Sequence, residues 1–183
     1  MRLIWRTQQQ SKLNRLPQVL RDCLLEQGSL TRYLQKYCRG QFCLQLKDQS
    51  WKRPALEEAR LLGLREGEYA LIREVLLKCD KTTWVYARSI FPNCSLKGTQ
   101  RRLASLGTRP LGDILFADRS TSREYVTYAV IPFANILHQL AGENIKTAGD
   151  LWGRRSIFQI RQKPILVIEI FLPEIIKCMS TGK

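Results

Sequence analysis

Two pairs of apolar, strand-like runs with almost nothing between them limit the folds open to this chain more than any other feature. "YALIREVLLKCD", starting at Tyr69, and "TWVYARSIFP", ending at Pro92, are separated only by Lys81 and Thr82, which predicts a tight hairpin through Asp80 to Thr82. "SIFQIRQ" and "ILVIEIFL" are separated only by Lys163 and Pro164, which predicts a second hairpin turning at that pair. Parallel strands would need a crossover of roughly a dozen residues. These strands must therefore run antiparallel.

The remaining segments supply helices. "LPQVLRDCLLEQG" has apolar residues at helical spacing, with Pro17 suited to a first turn and Gly28 to a stop. Ser29 can cap a second short helix, "LTRYLQKYC". "QFCLQLKDQSW" alternates like a strand, and "RPALEEARLLGL" holds a helical turn or two. "TQRRLASLG" reads as a helix ending at Gly107, and "RPLGDILF" as another short turn. "REYVTYAVI" opens the last third, and the stretch from there to Asp150 has no decided pattern. With 183 residues and 44% hydrophobic content the chain can bury a real core. The expectation is a single α+β domain over 1–183: an antiparallel sheet with helices packed on one face.

A net charge of +14 is compatible with nucleic acid, with an anionic membrane surface, or with attraction of a small anionic substrate. The longest basic runs are the pairs Arg101-Arg102 and Arg154-Arg155, whereas a nucleic-acid arm carries a dense run. Most of the excess is therefore assigned to solvated surface. No stretch approaches the roughly 20 apolar residues of a membrane span, and "MRLIWRTQQQSK" lacks the apolar centre of a signal peptide. A cytoplasmic protein without stable membrane insertion is expected. The six cysteines, Cys23, Cys38, Cys43, Cys79, Cys94 and Cys178, are scattered with no C-x-x-C pair, and are expected to be reduced thiols.

Several chemistries lack the residues they need. The one histidine, His138, would have to carry a nucleophilic mechanism alone, and is expected to be structural or at the surface. Without ligand pairs at zinc spacing no metal site is expected. Neither a phosphate-binding G-x-x-x-x-G-K-[ST] nor a dinucleotide G-x-G-x-x-G is present, so no nucleotide cofactor is expected. What remains is charge chemistry by arginine and glutamate.

Three charged residues fall in the middle of apolar strand faces. By alternation Arg73 groups with Tyr69, Leu71, Val75 and Leu77; Arg88 with Trp84, Tyr86 and Ile90; Glu169 with Ile165, Val167 and Phe171. One account is a buried ion pair between Glu169 and Arg73 or Arg88. The other is a small cavity in which arginine takes a ligand carboxylate and the acid opposite takes a ligand hydroxyl. On that second account Glu169 faces the ligand instead of a permanent arginine, and its burial favours the protonated form.

"LIREVLLKCD", "WVYARSIFP", "RPLGDILF", "LWGRRSIF" and "KPILVIEIFLP" stand in the order and spacing of the motif series of bacterial chorismate lyases. "LLEQGSLTRYL" resembles the N-terminal segment of that family, and the similarity covers about residues 18–173. The stretch between Val126 and Asp150 is longer than the family pattern. The resemblance implies a chorismate-lyase-like fold with an enclosed pocket under flap-like segments. It implies that Arg73 binds the product carboxylate, that Glu169 lies near the phenolic hydroxyl, and that the backbone N–H groups of Leu30 and Leu111 add carboxylate contacts. It assigns Arg88 to the enolpyruvyl carboxylate. Arg73 and Glu169 are thereby the candidate catalytic residues.

The reaction implied is the elimination of pyruvate from chorismate to give 4-hydroxybenzoate, an early step of ubiquinone-type or plastoquinone-type quinone biosynthesis. It is a carbon–oxygen lyase reaction that needs no cofactor, carried out by a monomer whose partners are substrate and product. Two alternatives stand beside it: a non-catalytic, effector-sensing domain of the same fold that binds a small acid, or a basic nucleic-acid-binding protein.

Overall fold

The computed structural model describes residues 3–141 and 149–180. Six strands form one sheet in the order β1-β2-β3-β6-β5-β4, with every neighbouring pair antiparallel. The strands are β1 Phe42–Lys52, β2 Ala70–Cys79, β3 Thr82–Pro92, β4 Thr121–Ile131, β5 Leu151–Ile160 and β6 Lys163–Phe171. They form two three-stranded meanders joined side by side at β3 and β6. The chain passes from one meander to the other through 3-10 turns at Asn93–Leu96 and Gly98–Ser105 and helix α4, Leu111–Leu115.

Both faces of this sheet are buried. Val75, Leu77 and Ala87 pack with helices α1 (Gln18–Leu25), α2 (Leu30–Tyr37) and α6 (Pro173–Ser180), while Leu71 and Val167 pack with Leu103, Leu111 and Leu115. On the opposite face Ile72, Tyr86, Ile90, Ile168 and Ile170 pack with Leu62 just beyond helix α3 (Leu56–Leu61), and with Leu137 and Ala141 of α5 (Ile136–Ala141). The expected antiparallel α+β domain is thus present, with two short helices on the second face. Among the described residues no helix is long and apolar enough to cross a membrane.

The hairpin turns differ in detail from expectation. The β5–β6 turn is Arg161–Gln162, both with positive φ (51° and 62°), not Lys163-Pro164. Such two-residue turns need positive φ at both positions, which proline's ring forbids. Pro164 instead enters β6 opposite Gln159, before the pairing with β3 begins at Leu166. Between β2 and β3 the turn is as expected, with Asp80 at φ 51° and its carboxylate accepting from the Gln41 N–H at 2.8 Å. "TQRRLASLG" forms a 3-10 turn instead of an α-helix, ended by Gly107 at φ 55°. Within the undecided stretch β4 runs to Ile131 and α5 follows; residues 142–148 lie outside the described residues. His138 is buried in α5 against the Phe133 ring, with a ring nitrogen 3.0 Å from the Gly149 carbonyl, a structural position.

The expectation that all six cysteines are thiols is corrected. Cys38, which follows α2, and Cys79, which ends β2, form a disulfide with Cα atoms 5.6 Å apart. They are 41 residues apart in sequence, and no local spacing signals the pair. The chain returns from α2 directly into β1, where Phe42 pairs with Cys79, and this brings the two together. Reduction is expected to destabilise the fold by about 2 to 4 kcal/mol. Denaturant melts with and without reductant measure this, and the C38S/C79S double variant is expected to be insensitive to reductant.

Candidate active site

A cavity opens on the face covered by α1, α2 and α4. Its floor comes from β2, β3 and β6 through Arg73, Val75, Ala87, Ser89, Val167 and Glu169. Leu30, Leu111 and Phe116 close it from above, and Arg123 and Phe158 from the β4–β5 side. Four of the five residues proposed from sequence therefore meet in one place: Arg73, Glu169, Leu30 and Leu111.

Arg73 is 1% exposed. Its Nε and Nη2 donate to the Gly107 carbonyl at 3.2 and 2.8 Å, and Nη2 also donates to the Arg109 carbonyl at 2.9 Å. The turn that gives up its carbonyls for this depends on Gly107, whose positive φ an L side chain rarely adopts. Among the described residues no carboxylate neutralises the guanidinium, and desolvation by burial lowers its pKa to about 10, so it remains charged at neutral pH. A buried cation without a counter-ion is a strong site for an anionic ligand.

Leu30 and Leu111 are the first residues of α2 and α4, where backbone N–H groups have no partner within the helix. Ser29 caps α2 by accepting from the Arg32 N–H. A Cβ on Gly112 would lie 2.6 Å from the Ser29 Oγ, so glycine is what lets the two helix starts sit side by side. Leu30 and Leu111 thus bring two helix starts to the lining of the same cavity as Arg73.

Glu169 has a partner that no alternation argument supplied. Arg154, fully buried, donates from Nε to Glu169 Oε2 at 2.6 Å, and its Nη1 reaches the carbonyls of Cys23, Leu24 and Glu26 at the end of α1. Burial opposes the Arg154 charge, but the Glu169 carboxylate outweighs it and raises the guanidinium above its ordinary range. The expectation that Glu169 faces only the ligand is therefore corrected: it both lines the cavity and forms a buried ion pair. Among the described residues only its Oε2 is hydrogen-bonded.

Arg88 is not in the cavity. β3 has an extra residue, Trp84, where the pairing jumps from Lys78↔Thr83 to Leu77↔Val85. That shift sets Arg73 opposite Ser89 and Arg88 opposite Glu74, on the other face. There Arg88 donates to Glu58 at 3.0 and 3.2 Å and to Glu74 at 2.6 Å, and Glu74 also accepts from the Tyr86 hydroxyl at 2.5 Å. Burial works against its charge, and the two carboxylates more than compensate, raising its pKa. Its assignment to a ligand carboxylate is corrected to a buried network.

Arg123 and Arg154 were missed at the sequence level. Arg154 was visible only as half of a surface-like basic pair. Its neighbour Arg155 does point to the other face, bonded to Glu57 at 2.7 Å. A hairpin turn placed at Arg161–Gln162 would have set Arg154 opposite Glu169.

One antiparallel sheet thus brings a desolvated guanidinium and the first residues of two helices to one cavity, a lining suited to a small organic acid. The chain matches the family model described as chorismate lyase over residues 1–180, and it belongs to that family. A relative from Methylobacillus flagellatus, named a probable chorismate pyruvate-lyase, is 40% identical over 89% of this chain and 92% of its own. One from Methylococcus capsulatus with the same name is 43% identical over 84% and 94%. In fold the chain is similar to the effector domain of PhnF from Mycobacterium smegmatis, with a TM-score of 0.55 and 15% identity over 82% of this chain and 91% of that one. It is likewise similar to the C-terminal domain of the histidine utilization repressor from Pseudomonas syringae, with a TM-score of 0.53 and 11% identity over 73% and 93%.

Arg154→Met strands a buried carboxylate and is expected to cost about 3 to 5 kcal/mol, whereas the double variant R154M/E169L is expected to recover most of it. Chemical denaturation of the two variants reads the difference. Arg88→Met is expected to destabilise by a similar amount, about 3 to 5 kcal/mol, because Glu58 and Glu74 lose their shared partner. Calorimetry on the folded Arg88→Met protein is expected to show unchanged affinity for an aromatic acid.

Proposed function

We propose that this protein eliminates pyruvate from chorismate to release 4-hydroxybenzoate, a precursor of the ring of ubiquinone-type or plastoquinone-type quinones. The observation that carries the reading is Arg73, a buried guanidinium without a carboxylate partner among the described residues, which shares its cavity with the first residues of α2 and α4. Family membership and the names of the relatives support the same reaction.

The ring carboxylate would sit on Arg73 and the N–H groups of Leu30 and Leu111, with the ring lying over Val75, Ala87 and Val167. Glu169 would then lie near the ring hydroxyl, its Oε1 accepting that hydrogen bond while Arg154 holds Oε2. This makes Glu169 an orienting acceptor instead of a proton donor. In the reaction the ether C–O bond breaks, ring C4 loses a hydrogen, and the enolpyruvyl methylene gains one to become the methyl group of pyruvate. Atoms and charge balance without an oxidant or water, and aromatisation of the ring supplies the driving force. What the protein must provide is orientation of a dianion in a dry site.

The cavity holds about 60 Å³, well short of the roughly 150 Å³ that admits a benzene ring elsewhere. Binding an aromatic acid therefore requires the cavity to widen. The second reading, a sensor that binds an aromatic acid without turnover, is favoured by the fold shared with the effector domain of PhnF.

Incubation with chorismate, without added metal or nucleotide, is expected to yield equal amounts of pyruvate and 4-hydroxybenzoate; binding without either product would select the sensor reading. Arg73→Ala is expected to lose about 2 to 5 kcal/mol of 4-hydroxybenzoate affinity by calorimetry while remaining folded. Glu169→Gln, assayed per folded molecule, is expected to lower kcat about tenfold, the scale of one oriented hydrogen bond. A loss of about 10³ or more would instead indicate proton transfer.

A further inference from the structure

The displacement of Arg88 to the far face leaves the second carboxylate of a chorismate dianion without the partner that resemblance suggested, while the cavity contains a guanidinium with no assigned role. Arg123 lines the cavity with Arg73 and Glu169. Its guanidinium lies 4.7 Å from the centroid of the Phe158 ring and 5.6 Å from that of Phe116, which fixes its plane. Nη1 donates to the Glu26 carbonyl at 2.9 Å and Nη2 to the Gly28 carbonyl at 3.4 Å. Nε is buried and has no partner among the described residues. Like Arg73, and unlike Arg154, it has no carboxylate partner among the described residues.

We infer that Arg123 binds the enolpyruvyl carboxylate of the substrate, so that the two uncompensated guanidiniums of the cavity take the two carboxylates of chorismate. The inference rests on the reaction proposed above. Strand order supports it: Glu169 on β6 lies between Arg73 on β2 and Arg123 on β4. The ligand has the same sequence of groups, with a ring carboxylate at one end, the hydroxyl and ether oxygens at the other, and the enolpyruvyl carboxylate beyond them. Desolvation, then the nearby charge of Arg154, lowers the Arg123 pKa, and an arriving carboxylate relieves both. The contact exists for substrate and for departing pyruvate but not for 4-hydroxybenzoate, so it holds the leaving group without tightening the ring product.

The test compares ligands with one and two carboxylates. Arg123→Gln is expected to lower kcat/KM for chorismate by about 100-fold, as loss of a desolvated charge pair does, and to leave 4-hydroxybenzoate affinity within about threefold. Arg123→Lys, which keeps a cation and packs more conservatively, is expected to fall between Arg123→Gln and the parent. Melting curves of both report folding. A merely structural Arg123, holding Glu26 and Gly28 so that α2 starts correctly, would weaken both ligands alike, and equal losses would overturn the inference. So would no loss for chorismate. If the parent protein releases no pyruvate, the reaction is refuted separately. Competition titrations of chorismate against 4-hydroxybenzoate still read the Arg123 contact through the ratio of the two affinities.

Discussion

The Arg154–Glu169 pair is the interaction on which the site depends. A charge buried alone in the sheet would cost several kcal/mol, and either partner without the other is in that position. Arg154 also donates from Nη1 to the last carbonyls of α1, groups a helix leaves without partners of its own. Arg123 takes carbonyls of the turn that follows. Arg154 thus ties β5 to the exit of α1, just before Ser29 caps α2. The same guanidinium that makes Glu169 tolerable in an apolar strand also holds the end of α1 beside the cavity.

Much of the fold was legible because the short connections at Asp80–Thr82 and before Ile165 leave antiparallel pairing as the one option. Arg73, Glu169, Leu30 and Leu111 were legible from their motifs, and they do meet. What could not be read was which side of the sheet each strand residue faces. With both faces buried, alternation separates two sets but labels neither as the site. Without the extra residue at Trp84, Arg88 would stand opposite Arg73 on the cavity side; with it, Arg88 stands opposite Glu74. A turn at Lys163-Pro164 would have placed Glu169 across from Phe158, whereas Arg161–Gln162 places it across from Arg154. One-residue questions of phase decided the chemistry of both charges.

The Cys38–Cys79 disulfide lay beyond sequence reasoning for a related cause, since the proximity of its ends is a property of the whole meander. The two charged layers of the sheet show a similar economy. Arg73 and Glu169 face the cavity, while Glu74, Arg88 and Tyr86 on the same central strands form a satisfied network behind it. Each face thus holds a buried ion pair, and the cavity face holds in addition Arg73, which no carboxylate among the described residues meets.

The cavity's floor and roof differ in how they are held. The floor belongs to β2, β3 and β6, each hydrogen-bonded to neighbours on both sides. The roof is two short helices, α2 of 8 residues and α4 of 5, too short to persist by their own propensity. Amides of the floor are therefore the ones that exchange with solvent only when the whole domain unfolds, and those of the roof exchange through brief local openings. A ligand that bridges Arg73 to the first N–H groups of both helices couples the two regimes. Occupancy is then recorded far from any moving atom of the sheet, as slowed hydrogen exchange confined to the start of α2 and α4.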